Sequence, residues 1–380
     1  MKLLHTSDLH LGRQFNGISL EEDHAAVLDQ IVEAVKANRV DALIIAGDVF
    51  DRASPPQSAV RQFNGFLQRI KTETDAAVAM IAGNHDSGDR IDLSAIAADR
   101  SRWLIRGAIS VKEVPLLLSD THGTVAISAL PFAYEYAARE CFESETIDTP
   151  EDVLVAQVAA ARAEVPEGAR WIIVAHAFVT GGSVSESERS LTRVGGIETV
   201  RASAFDGAHY VALGHLHRPQ SISTDHIRYS GSPLAFGFDE ADSEKSMSLI
   251  EMDAAGQVSV EVVAFKPIRR ARVLRGKHAE LLLSDPSSDF IKAELTDDVP
   301  VIDGMKRLRD VFPNACELVY VRNERPLETK SADGPAVTAA EPAEVVRNFL
   351  GEVGLENITD AEQDVVEASL TRLRQREDAE

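Results

Sequence analysis

The chain has 380 residues, 44% of them apolar, which is enough for a sizeable core and too much for global disorder. Its formal net charge of −22 argues against a protein that holds nucleic acid by its own charge alone, although bound cations supply positive charge locally. Cys141 and Cys316 lie far apart without metal-type spacing, which excludes a disulfide scaffold; no signal peptide is apparent and no apolar run reaches about 18 residues, so no membrane span and a cytoplasmic location are expected.

Leu3–Leu4 starts a strand that runs into Ser7-Asp8-Leu9-His10. A helix is predicted over Glu21–Ala37, where Ala26, Val27, Ile31, Ala34 and Val35 recur at helical spacing. The strand Ala42–Ala46 runs into Gly47-Asp48. Pro55-Pro56 introduces a helix over Ala59–Ile70 with Val60, Phe63, Leu67 and Ile70 on one face. The strand Val78–Ala82 runs into Gly83-Asn84-His85-Asp86, and Ile91–Trp103 reads as another helix. Strands are then predicted at Val125–Leu130, at Trp171–Ala175 leading into His176, and at His209–Leu213 leading into Gly214-His215-Leu216-His217. Three more follow at Ile227–Tyr229, Met247–Met252 and Val258–Ala264. The βαβα rhythm followed by clustered strands implies an α/β fold, a two-sheet sandwich flanked by helices, over residues 1–266.

A boundary is expected near Lys266-Pro267. Residues 267–326 read as a small α+β unit of three strands and two helices, opened by Arg269-Arg270-Ala271-Arg272. Residues 327–341 have linker composition. Residues 342–380 hold two amphipathic helical segments, one carrying Val345, Val346, Phe349, Leu350 and Val353, the other Val365, Val366, Leu370 and Leu373. Such segments dock on a partner or fold back on the parent domain.

The chemistry sits where the apolar runs end. Asp8 and His10 are two apart in an extended segment, so both reach one side; His215 and His217 repeat that spacing. Asp48 follows a strand and a glycine, where a carboxylate can bridge two cations. Asn84 offers an amide oxygen, and His176 ends a further strand. Two carboxylates, one amide and four imidazoles without thiolate make a ligand set for two divalent ions such as manganese. His85 adjoins a ligand and is placed as a general acid for a leaving oxygen, with Asp86 to orient it. Asp51 is a candidate to support a ligating histidine. Arg13 and Arg52 are candidates to hold a phosphate, or else form surface salt bridges.

The motifs Asp8-Leu9-His10, Gly47-Asp48-Val49-Phe50-Asp51, Gly83-Asn84-His85-Asp86, His176 and Gly214-His215-Leu216-His217 resemble, in order and spacing, those of the calcineurin-like metallophosphoesterases. Ser7-Asp8-Leu9-His10-Leu11-Gly12-Arg13, Asn84-His85-Asp86-Ser87 and Tyr229-Ser230-Gly231-Ser232-Pro233 resemble the bacterial SbcD family of nuclease subunits. The resemblance covers about residues 1–325 and implies a manganese-dependent DNA exonuclease and endonuclease acting on duplex ends and hairpins, associated with the nucleoid. It assigns Asp8, His10, Asp48 and His217 to one ion, Asp48, Asn84, His176 and His215 to the other, and catalysis to His85. It implies a DNA-capping role for residues 267–326 and tail helices that dock on an SbcC-type, SMC-like ATPase with a long coiled coil. It also implies a homodimer through Ala59–Ile70 and Ile91–Trp103, which carry Phe63, Phe66, Leu67, Leu93, Ile96 and Trp103, although by periodicity these apolar faces serve the core equally well. Sharing DNA with the ATPase, and the basic stretch Arg269–Arg275, would then answer the acidic balance. Two rivals stand beside this reading: a small-molecule phosphodiesterase or phosphomonoesterase, which needs neither a capping unit nor a tail, and a non-catalytic DNA-end scaffold, which has no need of His85.

Overall fold

Strands and helices alternate through the first hundred residues: β1 (Lys2–Thr6), α1 (Glu21–Asn38), β2 (Ala42–Ala46), α2 (Gln57–Glu73), β3 (Ala77–Ile81), α3 (Gly88–Ile96) and β4 (Trp103–Arg106). There follow β5 (Leu116–Asp120), β6 (Gly123–Leu130), α4 (Glu135–Phe142), α5 (Pro150–Glu164), β7 (Arg170–His176), β8 (Tyr210–Gly214), β9 (Gln220–Ile222), β10 (Thr224–Tyr229), β11 (Ser246–Met252) and β12 (Val258–Ala264). The computed structural model describes residues 1–321, apart from 97, 189–191, 194, 195 and 198, together with Val365. Met1–Val321 form one compact unit and Arg322–Glu380 a second. The predicted linker and tail segments lie outside the described residues, Val365 excepted.

Two six-stranded sheets form the body, in the orders β12-β11-β1-β2-β3-β4 and β9-β10-β8-β7-β6-β5. In the first, β1 to β4 run parallel and β11 and β12 are antiparallel additions; in the second, β6, β7, β8 and β10 run parallel between antiparallel edges. The expected two-sheet sandwich is the fold observed.

The period of two along β2 shows how the layers form. Leu43 and Ile45 join Val27, Ile31, Phe63 and Ile70 of the covering helices α1 and α2. Ala42, Ile44 and Ala46 point the other way, against Ile127, Ile172, Val174 and Ala212 of the second sheet. Alanines on that inner face let the sheets approach closely. Close approach is used at the strand ends, where the Ala46 carbonyl of one sheet accepts from the His176 ring of the other at 2.9 Å. Gly214 lies beside the same carbonyl, and a Cβ there would sit 1.9 Å from the oxygen. The outer face of the second sheet is closed by Leu154, Val158 and Ala161 of α5. That helix starts at a Thr149–Asp152 capping box with Pro150 in its first turn.

Two expectations change. The helix expected over Ile91–Trp103 ends at Ile96, because Asp99 accepts from Ser101 N at 3.0 Å and forms a turn; Trp103 opens β4 instead. Phe63 and Phe66 are 1% and 3% exposed and belong to the core, whereas Leu93 and Ile96 are exposed.

After Pro267, β13 (Ala271–Gly276), β14 (Phe290–Leu295) and β15 (Ala315–Tyr320) make a three-stranded parallel sheet with α6 (Gly304–Val311). Its own core holds Ile291, Ala293, Leu308 and Phe312. The sheet is also pinned to the sandwich. Phe290 stacks on Phe15 at 4.6 Å, and Arg269 lies over the Phe290 ring while pairing with the fully buried Asp23. Arg269 is therefore a structural cation; Arg270, Arg272 and Arg275 are the exposed members of that basic stretch. Replacing Phe290 by Ala should lower unfolding free energy by about 3–5 kcal/mol, the range for emptying a buried aromatic site. Urea unfolding checks it, and a loss below about 1 kcal/mol would show that the stack does not anchor the small sheet.

Candidate metal centre

Each ligand-type residue sits where a strand stops and the backbone bends sharply. Asp8, His10, Asp48 and His215 all have positive φ, at 55°, 45°, 48° and 107°. Non-glycine residues adopt this conformation only when their surroundings enforce it. Here main-chain bonds do so: Asp8 N donates to Gly47 O at 3.0 Å and His10 N to Asp48 O at 3.0 Å. His85 N donates to Asp48 Oδ1 at 2.9 Å, and His215 N to Asp8 Oδ1 at 3.0 Å. Glycines make room. A Cβ on Gly83 would sit 2.2 Å from Asp48 Oδ1, and one on Gly47 would sit 2.4 Å from His176 Nδ1.

The result is one buried cluster. Asp8, His10, Asp48, Asn84, His176, His215 and His217 are all at least nine-tenths buried. Asp8, His10 and His217 bring ligand atoms within 4.8 Å of one another, as do Asp8, Asp48 and His176. Asp48 Oδ2 lies 3.6 Å from His10 Nε2 and 3.5 Å from His176 Nε2, between the two groups. The sequence-predicted ligands thus converge.

Ring nitrogens and the amide oxygen converge as well. His176 gives its Nδ1–H to the Ala46 carbonyl, which fixes the ring with Nε2 turned toward Asn84 Oδ1, 2.9 Å away. His215 Nδ1 is 3.1 Å from the same oxygen. Asn84 Nδ2 is buried without a partner, so the amide is held through its oxygen alone. Ser187 Oγ donates to Glu240 and therefore accepts from His217 Nδ1–H at 2.7 Å, which leaves the lone pair of His217 Nε2 facing His10 Nε2 at 3.2 Å. Imidazole nitrogens, carboxylates and an amide oxygen converging in a buried site form the kind of donor set that divalent cations take. The donor set fits divalent metal.

The electrostatics agree. Burial pushes the Asp8 carboxyl up to about 8, with neighbouring Asp48 adding to the rise. Burial also pushes Asp48 upward, but His176 and His10 outweigh it and hold Asp48 below the usual carboxylate range. Burial works against charge on His176, yet Asp48 raises that imidazole to about 9. Burial drives His10 and His217 down, and His215 to about 3, keeping them neutral as ligands must be.

The other predicted residues surround the cluster. The His85 ring packs edge-on to His10 at 4.8 Å between centroids, and its Nδ1 lies 2.8 Å from the Asp51 carbonyl. The orienting contact expected from Asp86 is thus made by Asp51's main chain. Asp86 accepts from Val49 N, Phe50 N and Gly83 N at 2.9–3.0 Å and clamps two ligand loops together. The Asp51 carboxylate sits 3.8 Å from His10 Nδ1 and 3.5 Å from Arg13 Nη1. Arg13 also donates to Ser187 O and stacks over Phe236, so it is engaged in packing. Arg52 is exposed. With Arg13, Asp51, His85 and Ser187 it lines a cleft of about 490 Å³.

The calcineurin-like phosphoesterase family matches residues 1–219, and the type 5 capsule protein repressor C-terminal domain matches residues 264–353. The SbcD subunit of the nuclease SbcCD from Staphylococcus saprophyticus subsp. saprophyticus is 33% identical over 322 residues, covering 84% of each chain. The chain belongs to the SbcD family of calcineurin-like phosphoesterases.

For this SbcD-family chain, sequence reasoning missed the supports of His217. Glu188 accepts from its main-chain N at 2.6 Å, and Glu240 is held by the buried Lys245, which also donates to His217 O at 2.9 Å. These residues lie in polar segments, Ser183–Glu188 and Asp239–Lys245, that read as solvated loops. No spacing signal marks them. Replacing Ser187 by Ala should weaken divalent-metal affinity about tenfold, at the lower end for a residue that orients a ligand. Isothermal titration with manganese measures this; unchanged affinity with unchanged folding would remove Ser187 from the support.

Proposed function

We propose that the chain is a metal-dependent nuclease that hydrolyses DNA phosphodiester bonds, as exonuclease on duplex ends and endonuclease on single strands and hairpins. It would be the nuclease subunit of an ATP-driven complex in the cytoplasm. The observation that carries this reading is His85 beside the centre. Its Nδ1 is tied to the Asp51 carbonyl and its ring lines the cleft. A ring held in this way donates Nδ1–H to the carbonyl and keeps Nε2 for the leaving oxygen, which is the position of a general acid.

Asp8, His10, Asp48 and His217 would hold one ion, and Asp48, Asn84, His176 and His215 the other. Manganese fits the mixture of imidazole, carboxylate and amide without thiolate. Bound ions would supply Lewis acidity toward the phosphodiester and a nucleophile at neutral pH. The chain's own residues do the rest. The strand ends fix the ligands, Ser187 and Glu240 set the tautomer of His217, and Asp86 locks the loop that carries His85.

A homodimer would form on the α2–α3 side. There Leu93 and Ile96 are 63% and 76% exposed beside a groove that also contains Leu67 and Trp103. The tail helices would dock on an SbcC-type ATPase, which shares the DNA with this acidic chain.

Replacing His85 by Ala should leave the bound metal unchanged while lowering hydrolysis of end-labelled duplex and hairpin DNA by about 10²–10⁴-fold, the usual weight of one general acid. The assay is run with and without the ATPase and ATP. Wild-type rates in the variant would sink the role of His85. Brisk hydrolysis of small phosphodiesters without DNA cleavage under either condition would sink the nuclease reading.

A further inference from the structure

Three aromatic rings lead away from the metal centre. Phe132 packs edge-on to the His176 ring at 6.5 Å, Tyr134 edge-on to Phe132 at 5.0 Å, and Tyr136 stacks on Tyr134 at 5.8 Å with only 11° between the planes. The start of the ladder is fixed, because Phe132 N donates to the Ala82 carbonyl at 3.0 Å, two residues before Asn84. Its outer end is open: Tyr134 is 44% exposed and Tyr136 66%. These residues lie at the turn from β6 into α4, and none of them serves the chemistry already described. Two near-parallel tyrosines in water, joined ring by ring to a metal-ligand histidine, present π-faces where a core aromatic would hide them.

We infer that Tyr134 and Tyr136 form a stacking platform for unpaired nucleobases of the DNA strand whose phosphate enters the centre. The inference rests on the nuclease reading and specifies which substrate the site holds best. The charge of the chain is the second argument. With 61 acidic against 39 basic residues, the protein has little ionic attraction for a polyanion. Base–aromatic stacking needs no positive charge and tolerates any sequence, because every base has a π-face. A stacked end would also hold its strand on the His176 side of the centre without an arginine cradle, which suits a structure whose Arg13 is engaged in packing.

The test uses the full-length, manganese-loaded chain with Tyr136→Ala and Tyr136→Phe. Three substrates are compared: a single-stranded oligonucleotide, the same oligonucleotide with abasic positions at the terminus being cut, and a small chromogenic phosphodiester. Tyr136→Ala should raise KM for the normal oligonucleotide about tenfold with kcat little changed, and by the same factor at low and moderate salt. Tyr136→Phe should restore wild-type KM. The abasic oligonucleotide should be cut equally by all three proteins. Equal KM for wild type and Tyr136→Ala on the normal oligonucleotide would overturn the platform and leave the nuclease reading intact. An equal loss on normal and abasic substrates would also overturn it, showing that the ring supports the fold. Wild-type protein that cleaves the chromogenic diester and no oligonucleotide would overturn the nuclease reading, and the platform with it.

Discussion

The structure depends on one electrostatic constraint: imidazoles, two carboxylates and an amide oxygen buried against one another in a single site. Nε2 of His10 faces Nε2 of His217, and Nε2 of His176 faces Asn84 Oδ1. Two of these imidazoles are held by a contact on the far side of the ring. Ala46 O fixes one imidazole and Ser187 fixes another. Carboxylates crowded together in a low-dielectric site are unfavourable without positive charge beside them. The fold therefore stabilises a geometry that suits bound cations. It does so through the rigidity of two packed sheets, because the ligand loops are extensions of fully buried strands.

That constraint explains details that otherwise look arbitrary. The inner faces of β2 and β3 are rich in alanine because a carbonyl of one sheet must reach a ring of the other. Gly47, Gly83 and Gly214 line the approaches because a single Cβ would strike a ligand or that carbonyl. The clamp by Asp86 and the ion pair of Lys245 with Glu240 lie outside the cluster, yet both lock parts that carry ligands. Burial raises the carboxyl of Asp86 to about 7, with Asp48 adding to the rise, and three main-chain N–H groups pull the other way. The same burial that keeps His10, His215 and His217 neutral thus makes the scaffold dependent on well-made hydrogen bonds.

The legible part of this molecule was the part written by periodicity. Ala42–Ala46 and Val258–Ala264 are strands with the bounds expected, and every ligand-type residue at a strand end came together with the others. Tertiary context decided the rest. Phe63 and Phe66 form an apolar face whether they meet a second copy or their own core, and the sequence holds no sign of which. The run Ile91–Trp103 looks helical until Asp99 turns it. Arg269 reads as a basic-patch residue, but its partner Asp23 lies 246 positions away. Ser187, Glu240 and Lys245 look like loop residues because the buried cavity they fill is assembled only in three dimensions.

The acidic balance takes its meaning from where charge is spent inside the fold. Several basic side chains are already committed: Arg269 to Asp23, Lys245 to Glu240, Arg170 to Asp120, and Arg13 to Phe236 and the Ser187 carbonyl. What remains beside the cleft is Arg52, against a cluster that holds Asp8 and Asp48. A polyanionic substrate meets a chain of net negative charge, and bound cations at the centre would reverse the sign there. Such a field favours engagement at the centre over non-specific binding along the body. It also places the burden of holding the strand on contacts that carry no charge, and the ring ladder from His176 to Tyr136 is such a contact within reach of the centre.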